Sequence, residues 1–235
     1  MKLLKYFLAV IVAAVICVFA AQWYYTGRIS ITSAIRSIKS HISLEMYYMN
    51  KHKMFKSEPT NEGCIVFLGD SLTDFLNLDE LLPGMNVINR GIGGDTTKGV
   101  LQRLDEVIRH KPAKLFLLIG TNDIAYEVSP EKITDNIRQI ITRIKEGSPG
   151  TKIYLQTLLP TNSAFNTNST NRPNEKINAV NKNLRPLAAE TGCELVDLNA
   201  LLSENGELPR RYTSDGLHIN VEAQRKWIEH IKPLL

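Results

Sequence analysis

From residue 64 onward the chain alternates short, continuous apolar runs with helical patterns, and this alternation admits one class of fold. Cys64–Gly69 (CIVFLG), Asn86–Asn89, Lys114–Gly120 (KLFLLIG), Lys152–Leu158 and Glu194–Leu198 each have the length of a strand buried on both faces. Between them, apolar residues recur at helical spacing. One set is Leu101, Leu104 and Ile108. A second is Ile133, Ile137, Ile140, Ile141 and Ile144, opened by Ser129-Pro130-Glu131 with Pro in the first turn. A third is Ile177, Val180, Leu184 and Leu187, and a last helix runs from about Val221 to Ile231. Such order predicts an α/β architecture with a five-stranded parallel sheet, right-handed crossovers and helices on both faces. A chain of 235 residues, 43% of them hydrophobic, can bury one such domain and not two large ones. Three cysteines exclude a disulfide scaffold and a four-cysteine zinc site.

In open parallel sheets, ligands sit at the carboxyl ends of the strands. Here those ends carry Gly69-Asp70-Ser71-Leu72, then Arg90-Gly91-Ile92-Gly93-Gly94-Asp95, then Gly120-Thr121-Asn122-Asp123 and, beyond a loop after the fifth strand, Asp215-Gly216-Leu217-His218. Ester hydrolysis needs a nucleophile, a proton acceptor and donors for the tetrahedral oxyanion. Ser71 supplies the hydroxyl. Imidazole exchanges its proton near neutrality, which makes His218 the natural base. Asp215 precedes it by three residues, so one turn can bring the carboxylate to the other ring nitrogen and fix the tautomer. Gly94 allows a backbone N–H to approach a substrate closely, and Asn122 offers an uncharged NH₂ donor. The Ser71 N–H is the third candidate donor. Asp70 and Asp123 read as loop-orienting groups and Asp95 as a helix cap. Gly91 and Gly93 read as structural turn residues. His41, His52, His110 and His230 lack metal-ligand spacing and read as solvated. Thr73 stands where a Gly-x-Ser-x-Gly elbow needs glycine, and no dinucleotide or Walker pattern occurs.

These four blocks, in this order and each after its strand, resemble the conserved blocks of the SGNH (GDSL) hydrolase family of esterases and lipases over about residues 63–235. The resemblance implies a flavodoxin-like three-layer α/β/α sandwich with strand order 2-1-3-4-5. It also implies a triad of Ser71, Asp215 and His218, and an oxyanion hole made by Ser71, Gly94 and Asn122. It implies cleavage of carboxyl esters, or in some members thioesters, with no metal and no organic cofactor. In that strand order the strands next to Cys64 and Cys193 are separated by two others, too far to bridge.

The N-terminus has a different character. Residues 1–56 hold eight Lys/Arg against the single acid Glu45, while residues 57–235 hold 20 bases and 23 acids. The basic charge therefore belongs to the arm, and the body shows no clustered bases for nucleic acid. Lys2 and Lys5 precede an uncharged run from Tyr6 to Ala21, followed by Trp23-Tyr24-Tyr25 and Arg28. This pattern predicts a signal anchor over residues 1–27 or, if cleaved, a signal peptide, with the catalytic part exported and either membrane-anchored, secreted or periplasmic. Residues 28–56 follow as a basic amphipathic connector with Ile31, Ile35, Ile38, Ile42, Met46 and Met49 at helical spacing; packing on the catalytic domain is favoured over lying on a membrane surface. Residues 57–235 form the hydrolase domain.

The longest irregular stretch, Thr161–Asn174, is rich in Asn, Thr and Ser and follows the fourth strand to the active edge. A polar wall suits sugar hydroxyls better than acyl tails. The expected substrate is a small-molecule or glycan ester, most of all a short acyl (acetyl) ester on a carbohydrate. A lysophospholipase or acyl-thioesterase near a membrane is the alternative, and a non-catalytic binding protein is disfavoured by the complete blocks. Arg210-Arg211-Tyr212 stands either to meet an anionic group or to form a solvated loop.

Overall fold

The computed structural model describes residues 31–165 and 171–235. The predicted anchor over residues 1–27 lies outside the described residues. Among the described residues no helix is long and apolar enough to cross a membrane.

The elements follow the expected alternation. Helix α1 (Ile31–Ser57) precedes strand β1 (Ile65–Gly69), the short helices α2 (Ser71–Asp74) and α3 (Leu78–Leu81), and strand β2 (Val87–Gly91). Helix α4 (Thr97–Ile108), strand β3 (Lys114–Leu118) and helices α5 (Thr121–Ala125) and α6 (Pro130–Gly147) come next. Strand β4 (Lys152–Gln156), α7 (Asn174–Thr191), β5 (Glu194–Val196), α8 (Leu198–Leu202) and α9 (Val221–Ile231) complete the chain. A compact body spans Lys51–Leu235 and therefore takes in the last turns of α1. In the part of α1 before it, Ile42, Leu44, Met46 and Met49 are exposed.

All five strands are parallel, in the order β2-β1-β3-β4-β5. The order reverses between the β1–β2 and β1–β3 connections, so right-handed crossovers send α4, α6 and α7 to one face of the sheet. On that layer α6 packs against both α4 and α7. The other face carries a ladder of rings that the register aligns: Phe67 opposite Phe116, and Phe116 opposite Tyr154. The rings stack at centroid distances of 5.0 and 4.5 Å. Tyr154 donates its phenol to the Leu234 carbonyl, and Trp227 of α9 donates its indole N–H to Gln156 at 2.8 Å, which ties the C-terminal helix to this face. Aromatic side chains in register across neighbouring strands add offset-stacking energy to their burial.

β3, β4 and β5 stop short of the carboxyl ends of the apolar runs that encode them, whereas β1 ends with its run at Gly69 and β2 continues past its run to Gly91. The third run extends to Gly120, but β3 stops at Leu118 because Gly120 turns the backbone at φ +129°. The fifth run extends to Leu198, but the Asp197 side chain accepts from the Ala200 N–H and starts α8. Apolar side chains continue past the strand as the first buried residues of the next turn.

Buried charges account for the departures from expectation. His110, read from sequence as solvated, is fully buried: its Nδ1 accepts from the Asn61 N–H at 2.9 Å and its Nε2 lies 3.2 Å from Glu106. Glu106 also receives Arg90 Nε at 3.0 Å, and Arg90 reaches Glu58 at 2.6 Å while its guanidinium lies over the Phe55 ring. His230 is exposed and His52 half-buried, whereas His41 lies where only the backbone is described. Asp95 does not cap α4 as expected. Thr96 does, accepting from the Gly99 N–H, while Asp95 is buried against Arg103 at 2.8 Å. Cys64 is buried and Cys193 half-buried, and both are free thiols.

Candidate active site

Each of the four predicted blocks leaves the carboxyl side of the sheet, and the chain there is shaped by close approach. Gly69 and Gly91, the paired last residues of β1 and β2, admit no side chain. A Cβ on Gly69 would lie 2.4 Å from the Leu118 carbonyl oxygen, and one on Gly91 would lie 2.2 Å from the Asp74 backbone nitrogen. The β1–α2 turn is thereby pressed against β2. Arg103 rises from α4 into the same region and donates to the carbonyls of Gly69 and Arg90, locking both strand ends to the turn that holds Asp95.

Ser71 stands first in α2, with Asp70 as the N-cap accepting from the Leu72 N–H. The Ser71 hydroxyl lies 2.9 Å from His218 Nε2, and His218 Nδ1 lies 2.6 Å from Asp215 Oδ2. The other Asp215 oxygen accepts from the backbone N–H groups of Leu217 and His218. Burial would raise this carboxyl, but the hydrogen bonds from the His218 ring and the two N–H groups outweigh it and hold it below the usual carboxylate range. The loop that carries the pair is closed by a bridge between Thr213 and Ile219, and Asn162 donates its backbone N–H to Gly216 at its tip. Phe75 lies half-exposed with its ring 5.3 Å from the His218 ring.

The three predicted donors lie in the segments that follow β1, β2 and β3. Ser71 N–H, at the start of α2, donates to no group of the chain among the described residues, and neither does Gly94 N–H. Gly94 has φ +80°, a left-handed conformation that favours glycine. Asn122 is buried, with one amide hydrogen given to the Asp95 carbonyl at 2.9 Å and its oxygen accepting from Arg172 at 2.8 Å. A primary amide has two hydrogens, so one N–H of Asn122 is left over. Asp123 accepts from the Thr97 N–H and hydroxyl at 2.9 and 2.5 Å, which joins α5 to the start of α4.

Asp70, Asp95 and Asp123 are buried close together beneath these loops. Burial pushes all three upward, and Asp70, further raised by Asp95 and Asp123, reaches about 7. Sequence reading placed Asp70 and Asp123 correctly as loop-orienting groups but missed Arg172, whose only signal was its place as a lone cation in a polar loop. Arg211 of the Arg210-Arg211-Tyr212 cluster pairs with Glu204, and Arg210 lies over the Phe165 ring.

A doubly wound sheet with a serine, a histidine and an aspartate in hydrogen-bonded series at its carboxyl edge defines a class, that of α/β hydrolytic enzymes. The profile of the GDSL-like lipase/acylhydrolase family matches residues 67–226, and the chain belongs to that family. It is a hydrolase of esters. It is 29% identical over 180 residues to platelet-activating factor acetylhydrolase IB subunit alpha2 of Rattus norvegicus, covering 73% of this chain and 76% of the relative. A solved structure from Streptococcus pneumonia, provisionally assigned as a platelet activating factor, is 29% identical and superposes with a TM-score of 0.77 over 87% of this chain and 99% of its own. An acetyl xylan esterase, 22% identical with a TM-score of 0.62 over 73% of this chain and 98% of its own, shares the fold.

Proposed function

We propose that the protein is a serine esterase that removes short acyl groups, above all acetyl, from a polar alcohol such as a carbohydrate. The observation that carries this reading is the unbroken series from Ser71 Oγ through His218 to Asp215, at 2.9 and 2.6 Å, together with two backbone N–H groups that have no partner among the described residues. In this reading Ser71 Oγ attacks the ester carbonyl carbon while His218 Nε2 takes its proton. Asp215 holds the Nδ1–H and stabilises the imidazolium. The oxyanion is received by the N–H groups of Ser71 and Gly94 and by the spare N–H of Asn122. His218 returns the proton to the departing alcohol, and water then cleaves the acyl-serine by the same route.

Two features support a short acyl group on a polar alcohol. The described part of the β4–α7 loop is mostly polar in composition and sends Arg172 to Asn122, and the rat relative is named an acetylhydrolase. The lysines and uncharged run of the first 25 residues support an exported body held at a membrane or released from it.

An acyl-length series of nitrophenyl esters on wild type and Ser71→Ala tests the reading. Turnover should peak at acetate or propionate and vanish in the variant. A peak at octanoate or beyond would favour the lysophospholipase or thioesterase alternative, and equal turnover by both chains would leave a binding protein.

A further inference from the structure

We propose that Arg172 is a charge-recognising residue that selects esters whose alcohol portion carries an anionic oxyacid group, a carboxylate or a phosphate, near the scissile bond. This deepens the esterase reading and rests on it. Arg172 is half-buried beside the proposed oxyanion hole and donates Nη2 to Asn122 Oδ1 at 2.8 Å. Its Nε is enclosed and has no acceptor, and among the described residues no carboxylate forms an ion pair with it. Other arginines are treated differently by this fold. Arg90, Arg103, Arg138, Arg143 and Arg185 each meet a carboxylate at 3.1 Å or less. Arg210, also without one, is exposed over an aromatic ring.

The titratable groups facing Arg172 are Asp70, Tyr126 and Asp215. None supplies a bonded counter-ion. Asp215 is committed to His218 and two backbone N–H groups. Asp70 is enclosed, bonded to the Leu72 N–H, and so far raised by burial that it is only partly ionised at neutral pH. Burial accordingly lowers Arg172 from its ordinary value despite these neighbours. An uncompensated cation in a partly dry site is costly, and a guanidinium is shaped to receive two oxygens of one oxyacid. A substrate anion would supply the missing partner. Its bond to Asn122 sets the guanidinium one side chain away from the expected position of the ester carbonyl, which places that anion on the ester itself.

Matched aryl acetates test this on the full chain: 3-acetoxybenzoate, 3-acetoxyphenyl phosphate and the neutral 3-acetoxybenzamide. Wild type should favour one or both anionic probes over the amide by about ten- to a hundredfold in kcat/KM, the range of a charged hydrogen bond. The carboxylate and phosphate arms separate the two sources of the anion. Arg172→Gln should bring the ratio close to unity, and Arg172→Lys should restore part of it. Should Arg172 only position Asn122, its variants would slow all three probes alike and leave the ratio intact, which overturns the proposal. Adding NaCl to wild type should raise KM for the anionic probes and not for the amide, a readout that needs no variant. Calorimetric titration of the Ser71→Ala chain makes the result independent of turnover. The anionic probes should bind tighter than the amide, and the double variant with Arg172→Gln should lose the difference; equal affinities would sink the proposal. Failure of wild type to cleave any acetate, with charge-selective binding intact, would count against the esterase reading alone.

Discussion

Asn122 shows how much a single amide can be asked to do. Its oxygen accepts from Arg172 and one hydrogen goes to the Asp95 carbonyl, so the carboxamide cannot flip without breaking both bonds. The remaining N–H is thereby aimed by the protein rather than by the substrate, which is the property a preorganised oxyanion donor requires. Asn122→Ala should lower kcat by about a hundred- to a thousandfold with a much smaller change in KM. Steady-state kinetics on an acetate ester check this, and a variant within threefold of wild type in kcat would remove Asn122 from the hole. Asp70 makes a second prediction, of opposite kind. Its folded carboxyl is raised to about 7, first by burial and then by Asp95 and Asp123. Between its unfolded value near 4 and that raised value, the folded chain holds a proton the unfolded chain has released. Its contribution to stability is therefore least unfavourable below about pH 4 and declines as pH rises through 7. Asp70→Asn keeps the cap acceptor and removes the titration. The variant should gain on wild type by up to a few kcal/mol in urea unfolding at pH 8, with the gain shrinking towards pH 4. A constant difference across that range would refute the assignment.

At the level of elements, the strand ends are held by contacts that tolerate no added atom. Gly91→Ala would press a methyl group into the Asp74 backbone at 2.2 Å, so β2 or α2 must move. A loss of about 1–3 kcal/mol is expected, with lowered esterase activity because α2 begins at Ser71. Arg103→Leu would strand the buried Asp95 carboxylate beneath the Gly94 turn and cost about 3–5 kcal/mol in denaturant unfolding. An unchanged midpoint in either variant contradicts this account of the edge. These same contacts mark the limit of what sequence could tell. The strands were legible because β1, β3 and β4 are apolar on both faces, and the site was legible because three of its blocks follow β1, β2 and β3 directly, the fourth lying beyond the loop after β5. Arg103, Glu106 and His110 were not, because each looks like a residue of an ordinary solvated helix face. Their burial follows from partners on other elements: Asp95 in the β2–α4 turn, Arg90 on β2 and Asn61 before β1. Arg172 was illegible for the same reason, since only the folded chain brings it to Asn122. Asp95 and Thr96 compete for one cap from adjacent positions, and the pull of Arg103 on Asp95 decides between them.

For the molecule as a whole, the composition break near residue 56 and the mechanical boundary of the body do not coincide. Basic residues continue to Lys56, yet Phe55 is buried, its ring under the Arg90 guanidinium, and Lys51 pairs with Asp74 at 2.7 Å. Asp74 in turn accepts from the Gly93 N–H next to Gly94, so the last turns of α1 brace the loop that carries a proposed oxyanion donor. A chain starting at Lys51 should therefore retain the Tm and kcat/KM of the full protein. A chain starting at Glu58 loses the Phe55 side chain, a change comparable to a core Phe→Ala at about 3–5 kcal/mol, and leaves Arg90 without its ring. For a domain of this size that corresponds to a fall in Tm of about 10 °C. Lost bracing at Asp74 should lower kcat as well, so activity measured well below the transition should already be reduced. Calorimetric scans and acetate-ester kinetics on the two truncations decide the matter: equal Tm and equal kcat would make the end of α1 a passenger rather than part of the enzyme.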